Sequence, residues 1–113
     1  MSEKLNILYL YGYGPNEKIH VDTLVPLIKN QIAIDSKIGI VLMHDGVIFA
    51  SSKRKIENHL KELIDLPIMY YVMGSELKAR GITLDSINSN IKPIEYGDLV
   101  DIMDSSEKII SWM

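Results

Sequence analysis

Residues Val41-Leu42-Met43-His44-Asp45-Gly46-Val47 decide the fold. An apolar run from Ile38 to Met43 stops abruptly at His44-Asp45-Gly46, and the charged, helix-patterned stretch Lys53-Arg54-Lys55-Ile56-Glu57 begins soon after. Such a pattern reads as a buried strand that ends in a polar turn and hands over to a helix. In open α/β sheets, ligands and chemistry gather just outside the carboxyl ends of strands. His44 and Asp45 are therefore expected on any active edge this chain possesses.

Towards the amino terminus, Leu5 to Tyr11 is nearly continuous in apolar and aromatic residues, as a strand covered on both faces should be. Tyr9, Tyr11 and Tyr13 alternate with Leu8, Leu10 and Gly12, so the three rings share one side while the chain stays extended. Core packing explains them most simply; the second reading has Tyr11 and Tyr13 facing a partner. Gly12-Tyr13-Gly14-Pro15-Asn16 is a loop. It has two glycines and lacks the third that a dinucleotide-binding loop needs. Asp22 is placed to cap a helix running to about Ala33, with Val21, Leu24, Val25, Ile28 and Ile32 on one face and Pro26 in the first turn. His20, just before it, reads as a surface or capping residue.

Towards the carboxyl terminus, Gly46 to Ala50 is a short helical turn or loop, and Lys53 to Ile64 an amphipathic helix with Ile56, Leu60, Leu63 and Ile64 inward. Lys53-Arg54-Lys55 at its amino end opposes the helix dipole, which leaves room for an acidic partner or an RNA phosphate beside the simpler reading of a solvated helix start. Ile68 to Met73 is the third strand. Gly74 breaks it, Ser75 is positioned to cap a helix from Glu76 to Arg80, and Gly81 ends that helix. After a polar loop, Leu84 to Asn90, the segment Ile91 to Glu95 is a fourth strand whose Pro93 argues for a sheet edge or a strand start. Asp98 reads as the cap of the last helix, carrying Leu99, Val100, Ile102 and Met103 inward. Ile109, Ile110, Trp112 and Met113 form an apolar tail that must pack on its own domain or on another subunit. Strands separated by helices imply a three-layer α/β/α domain with a mainly parallel central sheet, a single domain over residues 1–113.

Composition sets the outer limits. The 113 residues are 47% hydrophobic and 24% charged, an ordinary globular balance. A net charge of −3 gives no general attraction to a phosphate backbone, so direct nucleic acid binding is not expected. The chain has no cysteine, which excludes disulfides, thiolate metal ligands and a cysteine nucleophile or sulfur carrier. Met1-Ser2-Glu3-Lys4 lacks the pattern of a signal peptide and residues 5–11 are too few to span a bilayer, so a cytoplasmic location and no membrane partner are expected. The three histidines show no metal-binding spacing, and no cofactor is expected.

Parallel strands bring their carboxyl ends to one side of the sheet. His44, Asp45 and Gly46 should therefore share a functional edge with Met73, Gly74 and Ser75. As a catalytic pair, His44 and Asp45 lack a convincing nucleophile. Ser51 and Ser52 follow, but without a strand–turn–helix elbow. Adjacent strand residues also point to opposite sides, so the two need not touch. The alternative is a turn in which Asp45 hydrogen-bonds backbone amides ahead of Gly46. A phosphoacceptor domain would need an acidic pair where Tyr11-Gly12-Tyr13 stands, and is set aside.

The chain resembles the DsrE/DsrF/DsrH superfamily, specifically its DsrH/TusB branch. Val41 to Val47 is similar to that family's apolar strand ending in Asp-Gly-Val. Tyr71-Val72-Met73-Gly74-Ser75-Glu76-Leu77-Lys78-Ala79-Arg80-Gly81-Ile82 is similar to its strand followed by D-L-x-A-R-G-hydrophobic. Ile94-Glu95-Tyr96-Gly97-Asp98-Leu99-Val100 and the late Trp112 complete the likeness. The resemblance implies small α/β subunits that assemble into dimers or mixed hexamers and pass persulfide sulfur, towards tRNA wobble 2-thiouridine or within dissimilatory sulfur metabolism. It implies DsrE-like and DsrF-like subunits, or a second copy, as partners. DsrE-type members carry sulfur on a cysteine at the end of the third strand, where this chain has Met73; some DsrH members have a cysteine near the first helix, where His20 to Asp22 offers none. The expectation is a non-catalytic relay subunit with Tyr11, Tyr13, Trp112 and Met113 at its interface. The alternative is a small-ligand-binding or hydrolytic domain using His44 and Asp45.

Overall fold

The computed structural model describes residues 4–14, 18–51 and 65–113. The helix expected over Lys53 to Ile64, and Pro15 and Ser52 with it, lie outside the described residues. Five strands form one sheet: β1 (Ile7–Tyr11), β2 (Ile38–Leu42), β3 (Met69–Met73), β4 (Ile91–Ile94) and β5 (Lys108–Trp112). Their order is β4-β3-β2-β1-β5 and every neighbouring pair is parallel. The three described α-helices are α1 (Lys18–Ala33), α2 (Gly74–Ala79) and α3 (Tyr96–Ser105).

Strand alternation explains the layers. Tyr9, Tyr11, Ile40, Leu42 and Val72 turn to one face and are covered by Val21, Leu24, Val25 and Ile28 of α1. Leu8, Leu10, Val41, Tyr71 and Met73 turn to the other and are covered by Leu99 and Ile102 of α3. The sheet is thus clad on both sides, which is why its central strands read as unbroken apolar runs. Residues His44–Ala50 form a 3₁₀ segment after β2 that buries Val47, Phe49 and Ala50. Helix α2 ends on Gly81, whose φ of 70° is left-handed; its N–H reaches Lys78 O while Ile82 N–H reaches Leu77 O, the two bonds of a Schellman motif.

Several local expectations are corrected. Helix α1 spans Lys18–Ala33, so Asp22 lies inside it and is not its N-cap; Pro26 is likewise internal, on an exposed side where one missing N–H is tolerated. Ser75 is not a cap, because α2 begins at Gly74 directly on the end of β3. Asp98 is not the N-cap of α3. Glu95 holds that position, its side chain taking the Asp98 N–H while the Asp98 carboxylate takes the Glu95 N–H at 3.0 Å, a reciprocal box. Val100 is exposed rather than inward. The apolar tail is a fifth strand, and Pro93 stands on an edge strand as expected.

Two buried phenols make stability depend on alkaline pH. Tyr70 donates to Leu66 O at 2.7 Å, and burial first, then the Asp65 carboxylate, hold it well above the usual phenol range. Tyr9 donates to Gln31 Oε1 at 2.8 Å and is also raised by burial. Both are neutral below about pH 10, where their contribution to stability is complete; it falls as pH climbs towards the folded-state values. Thermal unfolding should show the midpoint dropping above about pH 10, less steeply in Tyr70→Phe. An identical alkaline profile in that variant would refute the assignment.

Candidate functional site

The carboxyl ends of the strands meet on one edge, and the polar turn after β2 is its centre. Met43 N–H bonds Tyr11 O at 2.9 Å, tying this turn to the end of β1. His44 follows with a φ of 51°, a left-handed conformation costly for a residue with a Cβ. It is held there by Glu76 of α2: one carboxylate accepts both the His44 backbone N–H and, at 2.9 Å, ring Nδ1. That carboxylate orients the imidazole by taking a hydrogen bond from Nδ1. The next residue, Asp45, pairs through Oδ1 with Arg80 Nη2 at 3.0 Å. The pair is largely solvent-facing, so its worth to stability is small.

Gly46 is required for close approach. A Cβ there would lie 2.5 Å from Tyr11 O, a backbone atom already committed to Met43. Gly12 is flanked in the same way: an added Cβ would meet Met113 Cγ at 3.0 Å and His44 Cδ2 at 3.2 Å. The turn after β2 therefore contacts the end of β1, and Met113 reaches the same spot from β5. Beside this edge, Gly74, Lys78, Ile82, Leu84, Pro93 and Glu95 line an open cavity of about 790 Å³ between α2 and β4.

The ends of β2 and β3 are neighbours, as expected, yet His44 and Asp45 do not pair with each other. Their partners, Glu76 and Arg80, were not among the sequence candidates. The signal was available, since residues four apart on a helix share a face and the stretch Glu76-Leu77-Lys78-Ala79-Arg80 places an acid and a base there. Met73 does not present a surface: it is 2% exposed, turned under α3. Gly74 opens α2 beside Glu95, and Ser75 is exposed and joins none of these contacts. Among the described residues no nucleophile is hydrogen-bonded to His44, and no group of three His, Cys, Asp or Glu side chains converges on a metal position.

The interface candidates divide. Tyr11 is fully buried, its ring 6.0 Å from Tyr13 and 5.8 Å from Phe49, so it belongs to the core and not to a contact surface. Tyr13 is half-buried and lies flat on His20 of α1, ring centroids 3.5 Å apart and planes within 5°. Trp112 is half-buried, edge-on to Tyr9 at 6.4 Å. Met113 is 50% exposed.

Three comparisons bear on this arrangement. A family model described as "DsrH like protein" matches residues 15–109. Proteins named "Protein TusB" from Escherichia coli and Shigella boydii are 32% identical over 73 residues, which is 65% of this chain and 73% of theirs. In structure, the YchN protein of Escherichia coli superposes with a TM-score of 0.75 at 14% identity, over 95% of this chain and 98% of that one. A protein of unknown function from Methanobacterium thermoautotrophicum superposes at 0.67 with 16% identity, over 90% and 96%. The structural likenesses establish the parallel α/β fold alone.

Proposed function

The chain belongs to the DsrH family, the TusB-like branch of the DsrE/DsrF/DsrH superfamily, and from that premise we propose that it is a subunit of a persulfide-relay complex that does not itself carry sulfur. One observation supports this most directly. The place where a relay subunit would bear its cysteine, the end of the third strand, holds Met73, buried to 2% exposure in a chain with no cysteine. A thioether cannot form a persulfide, since only a thiolate accepts sulfane sulfur.

Its contribution is then structural. It presents the His44–Glu76 and Asp45–Arg80 pairs to subunits that do carry cysteine. DsrE-like and DsrF-like chains are the partners this reading names, and tRNA wobble-uridine 2-thiolation or dissimilatory sulfur metabolism the processes served. A cytoplasmic setting goes with it; among the described residues no helix is long and apolar enough to cross a membrane. The hydrolytic alternative gains nothing from the site, where His44 is committed to Glu76 and Asp45 to Arg80.

Incubation with a persulfide donor should leave the intact mass unchanged, while a cysteine-bearing DsrE-like protein captured from the native cell with this chain gains sulfur. Addition of a sulfur atom to this chain, or capture of no such partner, would overturn the reading.

A further inference from the structure

The two edges of the sheet differ in chemistry. On β4, Pro93 removes a backbone donor and Lys92 places a charge beside it, both devices that discourage strand addition. On β5, the charge is confined to Lys108 at the start of the strand, and Ile109-Ile110-Ser111-Trp112-Met113 follow with neither charge nor proline. Hydrogen bonding to β1 shows which groups point outward. Lys108 N–H reaches Asn6 O at 3.0 Å, and Trp112 O accepts from Gly12 N–H at 3.1 Å, so residues 108, 110 and 112 turn their backbone inward. In a parallel pair the intervening residues must turn theirs the other way. Ile109 and Ser111 therefore offer N–H and C=O groups on the outer edge, and no described strand lies beyond them.

From this edge we infer that β5 pairs antiparallel with β5 of a second copy of the chain, joining two five-stranded sheets across a two-fold axis. Free backbone donors and acceptors specify an extended strand as occupant. The sequence is self-complementary in this arrangement. Ile110 meets its own counterpart on the axis, Ile109 lies opposite Ser111, and Lys108 of each copy lies opposite Trp112 of the other. Ammonium against indole is a favourable cross-strand neighbour. Closure follows as well. With β4 blocked, a head-to-tail β5–β4 chain of sheets is disfavoured, and the two-fold pair is the assembly left. This inference goes beyond the relay reading and does not depend on it.

The test uses the whole chain. Sedimentation of the wild type should give a dimer that dissociates on dilution. Amide hydrogen exchange should show Ile109 and Ser111 protected in the dimer and unprotected in the monomer. Because the chain has no cysteine, Ile110→Cys introduces a unique thiol. Residue 110 would occupy a non-hydrogen-bonded pair with Cα atoms about 4.5 Å apart, within disulfide reach, so mild oxidation should give a covalent dimer. Ser111→Pro removes an outward N–H that β1 does not use and should leave a folded monomer. Wild type that is monomeric throughout, or a dimer whose 109 and 111 amides exchange freely, would overturn the inference; either result stands even where a variant misfolds. Protection appearing only after a cysteine-bearing relay partner is added would also overturn self-pairing, while leaving the relay reading intact.

Discussion

Gly46→Ala should destabilise the protein by about 2–3 kcal/mol, the cost of forcing a methyl group into packed backbone. The added carbon would sit 2.5 Å from Tyr11 O and 3.3 Å from the Tyr11 carbonyl carbon. Neither atom belongs to a side chain that can swing away, and Tyr11 O also anchors the Met43 N–H. Relief requires the 3₁₀ segment to lift off the end of β1, which would expose Val47 and Phe49, buried at 0% and 2%. Gly46→Val should be worse still. Gly97→Ala in the first turn of α3 is the matched control, because nothing lies within 4 Å of a Cβ there and alanine suits a helix better than glycine. Denaturant titration should show a lowered midpoint with unchanged slope for Gly46→Ala and a neutral or slightly raised midpoint for Gly97→Ala. Equal midpoints for the two would show that the turn has slack.

The Asp-Gly-Val element that anchors the family likeness thus has a packing reason, and the reason was only half legible. The apolar run into Met43 and the polar stop after it could be read directly, because a strand buried on both faces leaves no alternation to misread. That Gly46 lies against Tyr11 depends on β1 and β2 being neighbours, a long-range fact absent from any local pattern. Glu76 and Arg80 were legible in part: their four-residue spacing on one helix face was visible, whereas which of them meets His44 and which Asp45 depends on how the helix after β3 lies against the turn after β2. Helix starts failed for a different cause. Asp22 and Asp98 are both good capping residues, yet both lie within the helices Lys18–Ala33 and Tyr96–Ser105, one acid in the interior of its helix and the other the N3 member of a reciprocal box. The tail was read as apolar and needing cover. Its strand character was hidden because an edge strand with Ile110 and Trp112 half-covered shows no clean two-residue alternation.

Trp112→Ala should act twice, and the two effects separate by concentration. Within the chain, Trp112 sits opposite Tyr11 in the β1–β5 register and packs edge-on against Tyr9, so it closes the margin of the α1-side core. Its exposure is intermediate, so the loss should fall below the 3–5 kcal/mol typical of a fully buried aromatic, at about 2 kcal/mol. This part is independent of protein concentration. Between chains, the indole is an aromatic anchor of the kind that dominates contact surfaces, and its removal should weaken assembly by a further ~2 kcal/mol. That part appears as a shift of the sedimentation isotherm to higher concentration. Trp112→Phe keeps a ring against Tyr9 and should recover most of the intrachain stability but less of the assembly, since phenylalanine offers a poorer face to a cation. If Trp112→Ala lowers the unfolding midpoint of the dilute protein but leaves the isotherm unmoved, the residue serves its own core only and the contact surface must be sought at Tyr13 and Met113. If the isotherm shifts while the dilute midpoint holds, the edge-on contact with Tyr9 contributes little and the indole is committed to the partner.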